Sequence, residues 1–406
     1  MTTEKRTDYD IVVVGGGPCG ATAAADAAKA GYRVALLDRD GRIKPCGGAI
    51  PPVLMREFAI PESLLVAKAK SARIIAPSTR SVDMPVEGGF VGMVDRCEFD
   101  EWLRNRAATL GATRLTGRYK EIDRQAGEPT AVLYEDKAGE QQRITTKVII
   151  GADGARSQVA RTEIKGAERN PCVFAYHEII RIEDKELETG YEHDRCDIHY
   201  RGDLSPDFYS WVFPHGKTAS IGTGTTHKGF SMKDAITKLR EVTGLDAAET
   251  IRKEGAPIPL KPLPCWDNGK DVILAGDAAG VVAPASGEGI YYAMACGRMV
   301  ADTVQEALEL GDMRHLKMAR KRFLKEHGRV FWILGILQKF WYANDNRRER
   351  FTTMCADKDV QRLTWEAYMN KKLVRKSPMA HVKIFFKDLG HLLGLVDAQG
   401  GEKKRP

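Results

Sequence analysis

The sequence predicts an α/β fold: a discontinuous Rossmann-like dinucleotide-binding domain, an inserted antiparallel-sheet domain and a helical C-terminal region. Three observations predict it. A β-branched run, Tyr9-Asp10-Ile11-Val12-Val13-Val14, enters a glycine-rich turn and then an alanine-rich stretch, the order of strand, turn and helix. Two later apolar runs, 148–150 and 272–274, also end in Gly/Asp turns, so the same kind of unit resumes far along the chain. Between them the runs 173–180, 196–200 and 208–214 predict an antiparallel sheet, and from Gly311 onward the pattern turns helical. The implied division is 1–165 and 265–310 for the two parts of the nucleotide domain, 166–264 for the sheet and 311–406 for the helical region.

Gly15-Gly16-Gly17-Pro18-Cys19-Gly20 fits GxGxxG at Gly15, Gly17 and Gly20. The first glycine allows the tight turn, the second lets the backbone approach a pyrophosphate, and the third permits close helix–strand packing. Pro18 suits an early helical position, where its missing N–H costs nothing. Gly31 closes the helix, and a second strand over 32–37 delivers Asp38, 23 residues after Gly15. A carboxylate there accepts hydrogen bonds from an adenosine ribose. The unit predicts a dinucleotide ligand and by itself leaves NAD and FAD both open.

The composition, 43% hydrophobic and 29% charged over 406 residues, is that of a soluble globular protein. No apolar run approaches the roughly 18 to 20 residues that span a bilayer. Residues 1–10 lack the segments of a secretory signal, so the expected location is cytoplasmic. The eight cysteines include no CxxC pair and no zinc-type spacing, and no metal site is expected. Residues 311–406 hold 22 Lys and Arg against 10 Asp and Glu, a net of +12; the whole chain is +7, which leaves −5 for the first 310 residues. A basic end on a slightly acidic body fits an anionic partner, lipid or nucleic acid. No RNA-binding motif or zinc site accompanies it, so nucleic acid is not expected.

Three downstream motifs carry a resemblance. Arg96-Cys97-Glu98-Phe99-Asp100-Glu101-Trp102-Leu103 starts a helix and resembles the Arg-x-x-Phe-Asp-x-x-Leu segment of the para-hydroxybenzoate hydroxylase superfamily of flavoproteins. The resemblance implies that Arg96 touches the flavin; alone it would read as a surface residue at a helix start. Gly151-Ala152-Asp153-Gly154 resembles the superfamily's Asp-Gly motif, which serves both flavin and nicotinamide, though Asp153-Gly154 alone is an ordinary turn. Leu274-Ala275-Gly276-Asp277 is similar to the strand end whose aspartate holds the ribityl hydroxyls. Gly287-Glu288-Gly289-Ile290 then opens a helix whose free N–H groups would face the flavin N1/O2 edge. Together they imply FAD. The chain has no second GxGxxG unit, and the resemblance implies that NADPH docks transiently on the FAD domain.

Two further motifs narrow the resemblance. Lys44-Pro45-Cys46-Gly47-Gly48-Ala49 resembles the Cys-Gly-Gly loop of the geranylgeranyl reductases. Tyr209-Ser210-Trp211-Val212-Phe213-Pro214, followed by Gly222 and Gly224, is similar to their Tyr-x-Trp-x-Phe-Pro…Gly-x-Gly signature. Alternation puts Tyr209, Trp211 and Phe213 on one face of a strand, which periodicity alone would read as sheet core. The resemblance makes that face a substrate surface for a long apolar prenyl chain. It covers residues 9 to about 341, and within the family it is strongest to the members of bacteriochlorophyll synthesis in purple bacteria.

The implied reaction is NADPH-driven reduction of isolated C=C bonds in a geranylgeranyl group, on a pigment or as the diphosphate. Such alkenes are not electron-poor, so an acid must protonate one carbon as hydride reaches the other. Cys46 is the candidate donor, with a small residue fitting a tight loop as its other reading. A flavin-dependent aromatic monooxygenase shares every FAD motif, and a pigment-binding escort with structural FAD is the alternative outside enzymes. Residues 331–337 with 340–342 form an apolar run too short to cross a membrane yet rich in residues that favour its interface, and 371–395 mix basic residues with apolar ones at roughly helical spacing. They read as a peripheral contact with an anionic photosynthetic membrane, or as packed helices with a solvated basic face.

Overall fold

Tyr9–Val14 lies at the centre of a parallel sheet, as a run of apolar residues without a polar face requires: Ile11, Val12 and Val13 are fully buried. The structure, a computed structural model, describes residues 6–39 and 44–371. The central strand pairs with Val34–Asp38 on one side and Gln141–Gly151 on the other; Thr113–Asp123 and Val272–Leu274 take the outer places. The remaining halves of Thr113–Asp123 and Gln141–Gly151 pair antiparallel with Ala131–Asp136. Because the five parallel strands run the same way, their C-terminal ends share one edge. The loops that leave this edge carry Gly15, Asp153 and Asp277, and Asp38 ends its strand there.

The helix Pro18–Lys29 is almost wholly buried although its side chains are small. Its neighbours explain the size limit. A Cβ on Gly20 would lie 1.9 Å from the Gly15 carbonyl oxygen, and one on Gly297, in the crossing helix Ile290–Leu310, 2.4 Å from the Cys19 carbonyl oxygen. These elements belong to one compact unit, built from the segments ending at Cys46 and from Arg96–Val173 and Ala256–Gly335.

The second unit comprises Gly47–Asp95, Phe174–Gly255 and the segment from Ile336. Its seven-stranded sheet contains the expected strands as Cys172–Arg181, Arg195–His199 and Ser210–His215, joined by Thr218–Thr225 and Thr250–Pro259. Two strands from earlier in the chain, Ser71–Ile75 and Ser81–Pro85, complete it, and the pairing of Arg195–His199 with Ser71–Ile75 is parallel. One face is covered by the helix Met232–Thr243, whose Ile236 and Leu239 meet Val212 and Ile221. Ser231 caps this helix through the Asp234 N–H, and Gly244, in the left-handed region at φ +68°, ends it.

The C-terminal region is helical: Met318–Trp341, Asp345–Met354 and Lys358–Asn370. Asn344 and Asp357 cap the last two. Buried Arg348 ties the turn between helices by donating to the Tyr342 carbonyl (2.6 Å) and pairing with Asp345 (2.5 Å). Among the described residues no helix is long and apolar enough to cross a membrane. The basic amphipathic stretch expected at 371–395 lies outside the described residues, apart from Lys371.

Candidate active site

At the head of the first unit's sheet, Gly15 adopts φ +106°, and a Cβ there would lie 2.4 Å from the Ala152 carbonyl oxygen. Only glycine fits. Gly17 is the N-cap of Pro18–Lys29 and receives no side-chain cap, and a Cβ on it would meet open space. The first N–H groups of that helix thus face an open cradle with partial positive charge. Asp38 closes the adjoining strand. Burial pushes its carboxyl up, against the Gly16 and Arg39 N–H groups and nearby Arg104, 3.4 Å away. Asp38, Arg39, Arg104, Arg114 and Thr116 line a cleft beside it.

Asp277 follows the last parallel strand in a 3₁₀ turn, Gly276–Ala279, opened by Gly276 at φ +62°. Its nearly buried carboxylate holds Lys44 at 2.5 Å. Gly287 is also left-handed, at φ +65°, and Gly289 caps Ile290–Leu310 without any side-chain bond. A Cβ on Gly289 would lie 3.9 Å from an Asp277 oxygen, so this second uncapped helix start lies beside that carboxylate. Ile290 is buried in its first turn.

Arg96 is buried and holds Asp100 bidentately, at 2.8 and 2.7 Å. Burial opposes its charge, but Asp100 and the neighbouring Cys46 thiol, also within hydrogen-bond reach, outweigh it and raise the guanidinium's pKa. Sequence reasoning missed Asp100 as a partner, although its four-residue spacing from Arg96 on a helix was the available signal. Asp153 serves its own helix: it accepts from the Ser157 hydroxyl and from the Gln158 N–H (2.6 Å), while Gly154 next to it, at φ +86°, faces open space.

In the second unit the three aromatics stand in one row, with ring centroids 5.9 Å apart for Tyr209–Trp211 and 6.1 Å for Trp211–Phe213. Trp211 lies over the next strand at Gly222, where a Cβ would be 2.1 Å from the indole. The Gly47-Gly48 loop rests against the end of this row: a Cβ on Gly47 would be 3.0 Å from the Phe213 ring, and one on Gly48 2.7 Å from His215 Nε2. Burial lowers the His215 pKa to about 4, against the Phe213 carbonyl and Asp95, so its ring is neutral at pH 7. Nδ1 lies 3.2 Å from the Phe213 carbonyl, which can only accept; the proton is therefore on Nδ1. Neither His215 nor its histidine neighbour His177 carries a sequence signal.

The first unit's residues fit FAD. Two uncapped helix starts suit a pyrophosphate and a flavin edge, Asp38 stands at the acidic position of the fingerprint, and Asp277 lies beside the second helix start. Gly17 and Gly154 leave the room that a bound group needs. The comparisons agree. Residues 8–312 match the family model described as FAD binding domain. The chain is 59% identical to geranylgeranyl diphosphate reductase of Rhodobacter capsulatus over 96% of its own length and 99% of that protein. It is 37% identical to the chloroplastic geranylgeranyl diphosphate reductase of Nicotiana tabacum, over 94% and 85%. Its fold matches that of a geranylgeranyl bacteriochlorophyll reductase-like protein of Thermoplasma acidophilum, with TM-score 0.78, 23% identity and coverage of 92% and 99%. From the cradle for FAD and these near-complete alignments it follows that the chain belongs to the geranylgeranyl diphosphate reductase family of FAD-binding proteins.

Proposed function

We propose that the chain reduces the C=C bonds of a geranylgeranyl group stepwise to phytyl, with FAD as its bound cofactor and NADPH as its electron source, in (bacterio)chlorophyll biosynthesis. The group would be carried on bacteriochlorophyllide or as the free diphosphate. The near-full-length identity to the Rhodobacter capsulatus enzyme carries this reading. The row Tyr209, Trp211 and Phe213 supports it physically, as an apolar surface long enough for part of a prenyl chain.

FAD, when bound and reduced by NADPH, would supply the hydride that one alkene carbon receives. Gly15, Gly17 and Gly20 would seat its pyrophosphate at the start of Pro18–Lys29, and Asp38 would take the ribose. Asp277 would exchange Lys44 for the ribityl hydroxyls. Gly276, Gly287, Gly289 and Ile290 would shape the second helix start, with Arg96, Asp153 and Gly154 completing the cradle. Cys46 would protonate the other alkene carbon, and Arg96 would ease that step by stabilising the thiolate left behind. Positive charge developing on carbon must be kept from water, and the apolar rings of Tyr209, Trp211 and Phe213 are of the kind that line a dry prenyl site.

The membrane reading gains support from Met318–Trp341. Lys321, Lys325, Arg329, Trp332, Ile336 and Lys339 are all exposed on it. At 100° per residue they fall in one stripe roughly 80° wide. Trp332 is 68% and Ile336 47% exposed, an arrangement suited to an anionic lipid surface.

The deciding experiment is anaerobic incubation of the FAD-loaded protein with NADPH and either geranylgeranyl diphosphate or a geranylgeranyl pigment ester. Mass spectrometry should show products gaining hydrogen two atoms at a time. A product that gains oxygen, and forms only in air, would replace this reading with that of a monooxygenase; no product under either condition would refute catalysis.

A further inference from the structure

Behind the aromatic row runs a line of hydrogen bonds that no motif announces. Trp211 Nε1–H donates to Ser220 Oγ at 3.1 Å; Ser220 Oγ lies 2.9 Å from His177 Nδ1; His177 Nε2 lies 3.0 Å from Glu254. The other Glu254 oxygen is ion-paired with Arg252 at 2.6 Å. Chemistry sets the direction of every link. An indole N–H only donates and a carboxylate only accepts. Ser220 therefore accepts from Trp211 and His177 donates from Nε2 to Glu254; in the neutral ring Nδ1 then carries no proton and accepts from Ser220.

The line also has a fixed frame. His177 and Trp211 both pair in register with Gly222, from the strands on either side of it. Trp211, Ser220 and His177 are buried, so the first two bonds run shielded from water, and the third, to Glu254, is part-buried. At Gly222 the missing side chain lets the indole lie flat on the sheet, where a Cβ would be 2.1 Å from the ring. The indole plane is thus held from below by a glycine and at its edge by a directed chain that ends on a carboxylate–guanidinium pair.

We propose that Glu254, His177 and Ser220 are positioning residues that set the orientation of Trp211, and through it the path of the prenyl chain and the number of its double bonds that reach the reacting position. This rests on the reductase reading above. His177 acts here only as a bridge with one acceptor and one donor. That role differs from an acid's in a testable way. A glutamine side chain offers the same pair, its Oε1 to Ser220 and its Nε2 to Glu254, but cannot carry a catalytic proton.

The test uses the FAD-loaded full chain, NADPH and geranylgeranyl diphosphate without oxygen, reading KM, kcat for the first reduction, the ratio of partly to fully reduced products, and NADPH bleaching of the flavin. Ser220→Ala and His177→Ala should raise KM about five- to tenfold. Both should shift products toward partly reduced chains and leave flavin bleaching unchanged. His177→Gln should restore the product ratio. In a Trp211→Phe background Ser220→Ala should change little more, because its effect passes through the indole. If Ser220→Ala keeps the original KM and product ratio, or acts equally with and without Trp211, the inference fails while the reductase reading stands. If His177→Gln is as impaired as His177→Ala, His177 is not a bridge and the inference also fails. Should His177→Ala not fold, the Ser220→Ala and Trp211→Phe pair decides alone. The pigment ester replaces the diphosphate if only the ester turns over, and no turnover of either by the unaltered protein would overturn the reductase reading and this inference together.

Discussion

Cys46 lies within hydrogen-bond reach of a guanidinium already committed to Asp100, so the thiol meets a fixed cation. The expected outcome for Cys46→Ser is retention of FAD and of NADPH-driven flavin bleaching, with alkene reduction slowed about a hundredfold or more, since a hydroxyl is a far weaker acid. Single-turnover reoxidation by the prenyl substrate measures this, and an unchanged rate would remove Cys46 from the chemistry. Arg96 is a poorer probe, because removing either half of its buried pair with Asp100 costs about 3 to 5 kcal/mol. Gly15 and Gly20 were legible in the sequence because backbone conformation and close approach leave no other residue for those places, and Gly17 because a pyrophosphate needs the room that a side chain would take. Ser220, His177 and Glu254 were not. They come from three strands, and only the register of the folded sheet brings them into line.

Among the elements, the parallel strands could be read from their unbroken apolar runs, and the helix starts from their glycines. The strands Ser71–Ile75 and Ser81–Pro85 could not be assigned to the second sheet, since a five-residue run carries no mark of its partner. Helix Met318–Trp341 shows a pattern that is visible only once its buried side is known. The apolar run 331–337 is divided by the fold: Phe331 turns inward, Trp332 and Ile336 outward among four cations. Each cation near an anionic leaflet contributes about 1 kcal/mol, so the proposed membrane contact would be reversible. Flotation with vesicles rich in anionic lipid should recover the protein, fall with added salt, and drop severalfold in Trp332→Ser/Ile336→Ser. Equal flotation of that double variant would clear the stripe of the role.

Across the first unit as a whole, one polar knot joins segments distant in sequence. Arg124 pairs with Glu163 at 2.7 Å and Asp271 at 2.8 Å, and Thr130 and Asn268 also donate to Asp271. Burial would raise the Asp271 carboxyl, but Arg124, Asn268 and Thr130 outweigh it and hold it at about 2, below its ordinary 3.8. A depressed carboxyl stabilises the fold above its unfolded pKa and loses that contribution as pH falls through the folded one. The window is therefore from about 4 down to about 2, and the contribution above it is roughly 2 kcal/mol. Asp271→Asn should lower unfolding free energy by about that much at pH 7, and the gap should close near pH 2, measured by urea unfolding. A gap that stays constant with pH would show that the ionic bonds contribute nothing. The knot also lies next to Val272–Leu274, the strand that delivers Asp277 and pairs with Gln141–Gly151 across more than a hundred residues of chain. During synthesis, then, the glycine turn and Asp38 leave the ribosome long before the last wall of the same cradle. With Asp277 and residues 287–290 holding the cofactor as proposed, the nascent chain must wait for them before it can grip FAD, and a protein cut short ahead of Val272 would be born colourless.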